Sequence, residues 1–318
     1  MAEPCVSIAL PLYRSKFDDV RDLLDRLAKT CSVAEIVVSD DDPEHSRRTG
    51  VAELLGASSL PVTYVSNRST LGMTGNWNAA VRACRSEYVL LHCQDDLVVP
   101  AALDGLVESM IERSVPVAAG AYANFADSGP MPTPTRFGDR SPTLHIERFE
   151  TVVQQALTFG NVYGFPSSTV FARRLWDSVE GYRGRYEHAA DLDFLLRATE
   201  RAGVLLVQPD PVAERRVHDA NLTHQHVASG ATGRDRERMW ADFNHYLGES
   251  KLRRRARSMM TLHAAFDAAR HLRAGRFRPA RASFGRVSVH TVHGGTSLGW
   301  AVRTVLGDRR DERSGPAT

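Results

Sequence analysis

Short apolar runs alternate with stretches of helical period along the first hundred residues. Val6–Leu12 reads as a buried strand, and Phe17–Cys31 as a helix with Val20, Leu23, Leu24 and Leu27 on one face. Glu35–Ser39 is a second strand, and it ends in the acidic turn Asp40-Asp41-Asp42-Pro43. Arg47–Leu55 has helical period, Val62–Ser66 is strand-like, and Asn76–Cys84 is helical again. Tyr88–Cys93 is a fourth strand, which breaks into Gln94-Asp95-Asp96. Such alternation predicts an α/β fold: a doubly wound, mainly parallel sheet with helices on both faces. Ligands of such sheets collect at the carboxyl ends of the strands, and carboxylates stand at two of those ends.

Further along, the pattern predicts a helix over Ala101–Glu112, a strand over Val115–Tyr122 and a helix over Glu147–Thr158. The intervening residues Ala126–Thr143 are rich in Pro, Gly and Ser and read as a mobile loop. A strand over Ser168–Ala172 and a helix over Ala190–Ala202, with Leu192, Leu195, Leu196 and Thr199 at helical spacing, follow. From Leu252 to about Leu272 the chain is amphipathic, with Leu252, Ala256, Met259, Leu262, Phe266 and Ala269 as its stripe. Arg253, Arg254, Arg257 and Arg270 lie mainly off that stripe.

Composition changes this picture in one respect. The net charge of +2 hides an asymmetry: from Lys251 onward there are 15 Lys/Arg against 4 Asp/Glu, and before it 25 against 34. An acidic body with a basic C-terminal part predicts different partners for the two. Cys5, Cys31, Cys84 and Cys93 form no CxxC pair and read as buried, reduced thiols. The apolar run at Val6–Tyr13 has no basic region before it and no cleavage site, so it reads as a strand and not a signal peptide. No apolar stretch approaches the ~18 residues of a membrane span, and the expected address is cytoplasmic.

Asp95 and Asp96 follow directly on a hydrophobic strand. Adjacent carboxylates repel, and a bound Mg²⁺ or Mn²⁺ would remove that cost while gripping a substrate phosphate. The other reading of the pair is a turn or a cap for the helix that begins near Pro100. Four segments set it in context: Val-Ser-Ile-Ala-Leu-Pro-Leu-Tyr-Arg (6–14), Ile-Val-Val-Ser-Asp-Asp (36–41), Asn-Arg-Ser-Thr-Leu-Gly-Met-Thr-Gly-Asn-Trp-Asn-Ala-Ala (67–80) and Glu-Tyr-Val-Leu-Leu-His-Cys-Gln-Asp-Asp-Leu-Val-Val-Pro (87–100). In order and spacing they resemble the family-2 glycosyltransferases of the GT-A fold, over roughly residues 4–225.

The resemblance implies an inverting transfer of a sugar from a nucleoside-diphosphate donor. It places Pro11 and Tyr13 beside base and ribose, and Asp40, with Asp41, at the pyrimidine edge, where a uracil N3–H needs an acceptor. Asn67, Gly72 and Asn76 fall in the loop and helix that line the nucleotide. Asp95 and Asp96 match the family's DXD-type motif, with Asp95 reaching the ribose or the ion and Asp96 the ion itself. This copy reads Cys93-Gln94-Asp95-Asp96, where many relatives carry an acid at one of the first two positions. His218 stands where some relatives place a further metal or diphosphate ligand, and Arg215 and Arg216 could touch the diphosphate. Asp191, in Glu187-His188-Ala189-Ala190-Asp191-Leu192-Asp193, matches the family's general base, with Glu187 in reserve. Tyr163, Phe165 and Trp176 are either sugar-stacking or core aromatics.

On this reading residues 1–125 form the nucleotide-sugar half and 126–248 the acceptor half with the base. Residues 249–306 are a basic helical appendage and 307–318 a disordered tail. The acceptor is a hydroxyl on a sugar, a lipid-linked or another molecule. The basic helix either lies on an anionic membrane surface or packs on the acidic domain. Nucleic acid is not an expected partner, because the basic residues lack interleaved aromatics. Two other functions fit parts of the pattern. A sugar nucleotidyltransferase would show a Gly-rich phosphate loop after the first strand, where this chain has Leu12-Tyr13-Arg14-Ser15-Lys16. A non-catalytic nucleotide-sugar scaffold would tolerate the Cys93-Gln94 departure.

Overall fold

A computed structural model describes residues 3–131, 144–218, 221–248 and 251–294. Most of the loop expected at Ala126–Thr143 and the tail expected at 307–318 lie outside them. The chain divides into two compact units. One comprises Met1–Val152, Asn161–Tyr186 and Ala190–Asp219; the other comprises Val153–Gly160, Glu187–Ala189 and Ala220–Thr318.

The first unit is built on a mixed sheet of ten described strands. β1 (Val6–Leu12), β2 (Val33–Asp40), β3 (Val62–Ser66) and β4 (Tyr88–Leu91) come first, then β5 (Leu97–Val98), β6 (Val117–Ala126) and β7 (Gly129–Met131). β8 (His145–Arg148), β9 (Thr169–Ala172) and β10 (Val204–Arg216) complete it. The order is β3-β2-β1-β4-β9-β6-β10-β5, with β7 on β6 and β8 on β10. β3, β2, β1 and β4 are mutually parallel, as are β6 and β10; β9 runs antiparallel between the two groups. The helices are α1 (Phe17–Leu27), α2 (His45–Gly56), α3 (Gly72–Ala83), α4 (Pro100–Arg113), α6 (Arg173–Ser178) and α7 (Ala190–Ala202), with the first turn of α5 (Phe149–Phe159).

The core follows from the pattern. β1 is buried at all of its positions, and Val20, Leu23, Leu24 and Leu27 of α1 face inward as their spacing requires. Burying a Leu or Val of this kind stabilises by roughly 1.5–3 kcal/mol. Two details differ from expectation. α1 stops at Leu27, so Cys31 falls in the turn beyond it and is exposed, while Asp104 accepts the backbone N–H groups of Cys31 and Ser32 at 3.0 and 2.8 Å. β10 escapes the periodicity altogether. Pro209 and Pro211 withhold their N–H groups, and its pairing with β6 slips between Gln208 and Ala213.

The second unit is helical: α8 (Leu222–Ser229), α9 (Ala231–Phe243), a 3-10 turn at Asn244–Leu247, α10 (Lys251–Arg273) and α11 (Phe277–Gly294). α10 packs against α11, α9 and the 3-10 turn. Of its expected stripe, Ala256, Met259 and Leu262 are buried, whereas Phe266 and Ala269 are exposed. Met260, Ala264 and Ala268 are buried in their place. A helix covered by several neighbours buries more than one face, so a single stripe does not describe it.

At the carboxyl ends of β1–β3, Asp41 binds the first turn of α3. Its oxygens accept Leu71 N–H at 2.8 and 2.9 Å and Gly72 N–H at 3.0 Å. Gly72 takes a φ of +74°, where a side chain would be strained. Asn67 donates to Ser39 Oγ, Asp41 Oδ1 and Asn76 Oδ1, each at 3.1 Å, and Asn76 donates to Leu12 O at 3.0 Å. An anion at a helix N-terminus is favoured by the dipole and by the unpaired N–H groups there. Asp41→Ala should therefore lower stability by about 2–4 kcal/mol, from the lost cap and the buried donors left unpaired. Asp41→Asn should fall between the two, and thermal and urea unfolding measure both.

Candidate functional site

β1 ends at Leu12, and the residues after it are held in place by distant side chains. Gln94 accepts Tyr13 N–H at 2.8 Å and donates to Tyr13 O at 3.0 Å, a two-point grip on one residue's backbone. Arg14 has a φ of +49°, and its N–H donates to Asp42 Oδ2 at 3.1 Å. This left-handed residue turns the chain at the strand end. Pro11 is buried, and the Tyr13 ring is exposed with the Arg14 guanidinium 5.3 Å from its centre. Asp40, Asp41 and Asp42 are all buried. Asp40 accepts Tyr64 O–H at 2.6 Å and Asp42 N–H at 2.9 Å.

The acid pair sits between β4 and β5. β5 pairs antiparallel with β10, Leu97 opposite Glu214 and Val98 opposite Ala213, which brings Arg215 and Arg216 beside Asp96 and Asp95. Asp96 points inward. Its Oδ2 accepts Ser167 O–H at 2.7 Å and its Oδ1 accepts Arg216 N–H at 3.1 Å. Burial first, and repulsion from Asp95 second, push its carboxyl up to about 8. Asp95 points outward, partly exposed, with its Oδ2 2.9 Å from His218 Nε2. The structure thus brings Asp95 and His218 together and sets Asp96 behind them.

Ser167 and Arg216 support the acid pair through bonds that motif matching does not reveal. Ser167 lies in a 3-10 turn, Pro166–Ser168, and its Oγ also accepts Cys93 N–H at 2.9 Å. Gly164 takes a φ of +139° before that turn, and a Cβ there would stand 2.4 Å from Ser168 Oγ. Arg216 bonds Asp95 O through Nε at 3.2 Å and Asp127 through Nη1 at 2.6 Å. It also pairs with Asp19 at 3.4 Å and covers the Phe125 ring at 4.6 Å. Its guanidinium therefore serves as a clamp on this loop.

Asp191, in the first turn of α7, accepts Asn161 Nδ2–H at 3.0 Å. It lines a narrow cleft with Asn161, Phe165, Pro166, Thr169 and Tyr182. Cys93 connects the two groups of acids: its thiol is pushed up by burial, then by Asp96, Asp95 and Asp191. Asp193 faces the interior, where Arg197 holds its Oδ2 at 2.9 and 2.6 Å and also donates to Gly181 O. Glu187 belongs to the helical unit, in which Arg234 grips both of its oxygens at 3.0 Å. Tyr163 and Trp176 are buried core aromatics, and Phe165 packs edge-on against Tyr122 at 4.5 Å.

Residues 7–178, more than half of the chain, match the family described as Glycosyl transferase family 2. An uncharacterized protein, MT1568, of Mycobacterium tuberculosis (strain CDC 1551 / Oshkosh) is 26% identical over 250 residues, 75% of each chain. Among solved structures, the chain is similar to S. aureus TarS 1–349 in complex with UDP-GlcNAc. The TM-score is 0.60, with 15% identity over 81% of this chain and 70% of that one. It is also similar to the mannosyltransferase PcManGT from Pyrobaculum calidifontis in complex with GDP-Man and Mn²⁺. There the TM-score is 0.59, with 14% identity over 96% and 81% of the two chains. At such identities the two structures speak for a shared fold.

His92, fully buried at the end of β4, bears on stability. Its Nδ1 lies 2.8 Å from Cys93 O and so carries the hydrogen, and burial pushes its pKa down to about 4. The native imidazole is neutral, while the unfolded chain binds a proton below about 6.5. Stability present above pH 6.5 should fall by on the order of 3 kcal/mol as pH drops toward 4. Urea unfolding at pH 7 and pH 5 measures this, and His92→Asn, which keeps a donor, should flatten the dependence.

Proposed function

The chain belongs to glycosyl transferase family 2, and we propose that it moves a sugar from a nucleoside-diphosphate donor, UDP-linked, to a hydroxyl acceptor. The product belongs to glycan, glycolipid or glycoconjugate synthesis. The observation that carries this reading is Asp95 set 2.9 Å from His218 at the surface with Asp96 bound to Ser167 behind it, in the motif that resembles the family's metal motif. Asp191, the residue read as the base, belongs to the same unit.

In this reading Pro11 and the exposed Tyr13 ring wall the nucleoside. Asp41, Asn67, Gly72 and Asn76 act by holding that wall, through the bonds they make to each other and to Leu12. Asp40 supplies the acceptor for a pyrimidine N–H, since each carboxylate oxygen keeps a further lone pair beside its bond to Tyr64 or Asp42. TarS was solved with UDP-GlcNAc and PcManGT with GDP-Man, so both compounds belong in a donor panel.

Asp95 Oδ2 and His218 Nε2, 2.9 Å apart and partly exposed, suit one divalent ion. The described residues contain no group of three such side chains, so the ion would draw other ligands from the diphosphate and water. A carboxylate with an imidazole favours Mn²⁺ over Mg²⁺. A cation in front would draw Asp96, behind the pair, toward its charged form. When bound, such an ion offsets charge on the departing diphosphate.

Asp191 is the base. Asn161 orients its carboxylate, which takes the acceptor hydroxyl's proton as that oxygen bonds to the anomeric carbon. The bond from that carbon to the diphosphate oxygen breaks with its electron pair, and a single displacement inverts the centre. Membrane contact through the basic helices belongs to the same reading. With Ala256, Met259 and Leu262 buried, the apolar surface available to a bilayer is Phe266, Leu272, Phe277 and Phe284, among exposed Arg273, Arg276, Arg278 and Arg281. No helix of the described residues is long and apolar enough to cross a membrane.

Two experiments test the reading. With Mn²⁺ and a donor panel, nucleoside-diphosphate release should appear, and Asp191→Asn should cut kcat by about 10²–10⁴ while leaving donor affinity within a few-fold. Nucleotide binding without turnover of any donor would make the protein a scaffold instead. Asp95→Asn and His218→Ala should each weaken Mn²⁺-dependent binding of UDP by about tenfold or more, read by the rise in melting temperature.

A further inference from the structure

The helical unit contains a cleft of about 590 Å³ that the transfer reaction does not use. Its polar lining is Thr232 and Arg236 from α9 and His263, Asp267, Arg270 and Arg273 from α10. Three guanidinium groups face one carboxylate. Asp267 is already engaged: Arg236 Nη1 reaches its Oδ2 at 3.3 Å, and Arg270 stands 3.9 Å from its Oδ1. Arg273 has no ion pair among the described residues.

The site is short of negative charge. Arg236 is mostly enclosed, with the like charge of Arg286 near it. Arg286 itself lies against α9, where a Cβ on Gly233 would stand 2.5 Å from its Nη2. His263 is pushed down to about 4 by burial and by Arg236, so its ring is neutral near pH 7 and does not add to the charge. Thr232 Oγ1 is buried with no hydrogen-bond partner among the described residues. Several cations gathered round a hollow repel one another, and an anion in the hollow reverses that cost. A buried hydroxyl without a partner beside that hollow is a donor short of an acceptor.

We propose that this cleft binds a phosphate group, as a monoester or diphosphate carried by a larger molecule. Planar guanidinium forks match phosphate oxygens in pairs, and three of them against one carboxylate leave a surplus of two positive charges for a dianion. The cleft is much larger than a phosphate, and Phe266, Ala269 and Ala274 give its remainder an apolar lining. A phosphate borne on an apolar body, such as a lipid headgroup with its chains, fits that division, as does a free phosphorylated metabolite. The proposal stands whether or not the first unit transfers sugar.

The test uses the full chain in excess EDTA, which silences ion-dependent binding at Asp95 and His218. Inorganic pyrophosphate is titrated calorimetrically into the wild type and into Arg270→Gln/Arg273→Gln, both exposed positions, with the melting temperature of the unliganded variant as a check on folding. Binding to the wild type that weakens at least tenfold in the variant is the expected result. Co-sedimentation with phosphatidic acid vesicles, against phosphatidylcholine, separates the sources: vesicle binding lost in the same variant assigns a lipid headgroup, and pyrophosphate binding alone assigns a free phosphorylated ligand. No binding of either probe, or equal binding by the variant, overturns the proposal.

Discussion

A carboxylate that is turned inward decides how the first unit presents its acids. Asp96 accepts one bond from Ser167 and one from the backbone of Arg216, and so ties the end of β4 to the 3-10 turn and to the far end of β10. Charged and unpaired at that depth it would cost several kcal/mol, so its partners are a condition of the fold. With Asp96 fixed behind, its neighbour is forced outward, and Asp95 meets His218 at the surface. Two residues adjacent in sequence thus take opposite environments. The repulsion between them is what a cation in front would relieve.

The strand ends are organised by the same means. Asp41 closes α3, Asn67 and Asn76 bridge β1, β2 and α3, and the network leaves few buried donors in that corner idle. Such a network is stiff, because each member's geometry is set by the others. Under the proposed function, a stiff wall would serve to hold a flexible diphosphate in one orientation. The groups expected to touch the nucleotide therefore divide in two. Tyr13 offers an exposed ring, whereas Asp41, Asn67 and Asn76 spend their polar atoms on the scaffold.

How far this was legible depended on the range of the interaction. The parallel strands β1–β4 and the inward face of α1 follow from local period, and the proposal of Asp95, Asp96, His218 and Asp191 as a site rests on motifs along the chain. What escaped was tertiary. β10 hides behind Pro209 and Pro211, and with it the register that delivers Arg216 to the acid loop. Arg216 reads in sequence as a phosphate ligand, yet Asp127, Asp19 and the Asp95 carbonyl already occupy it. The bond from Ser167 to Asp96 carries no sequence signal, because a serine's partner is known only once something 71 positions away is seen to need its hydroxyl. The stripe of α10 misled for a related reason: periodicity reports one buried face, and this helix has several.

The Cys93-Gln94 departure from the family's pattern makes sense on the same physical grounds. Cys93 feels Asp96, Asp95 and Asp191, and an acid there would add to the repulsion among them. A thiol pushed up by that environment stays neutral, so it fills the space without adding to the repulsion. Gln94 does what a carboxylate at its position could not. Its amide accepts from Tyr13 N–H and donates to Tyr13 O at once, whereas a glutamate could accept the first bond but would set an oxygen against the second. Gln94 thus carries no charge and holds the backbone of Tyr13 at two points. The acid pair is left with Asp95 facing out and Asp96 held behind it, and the loop that carries both is fastened to β1.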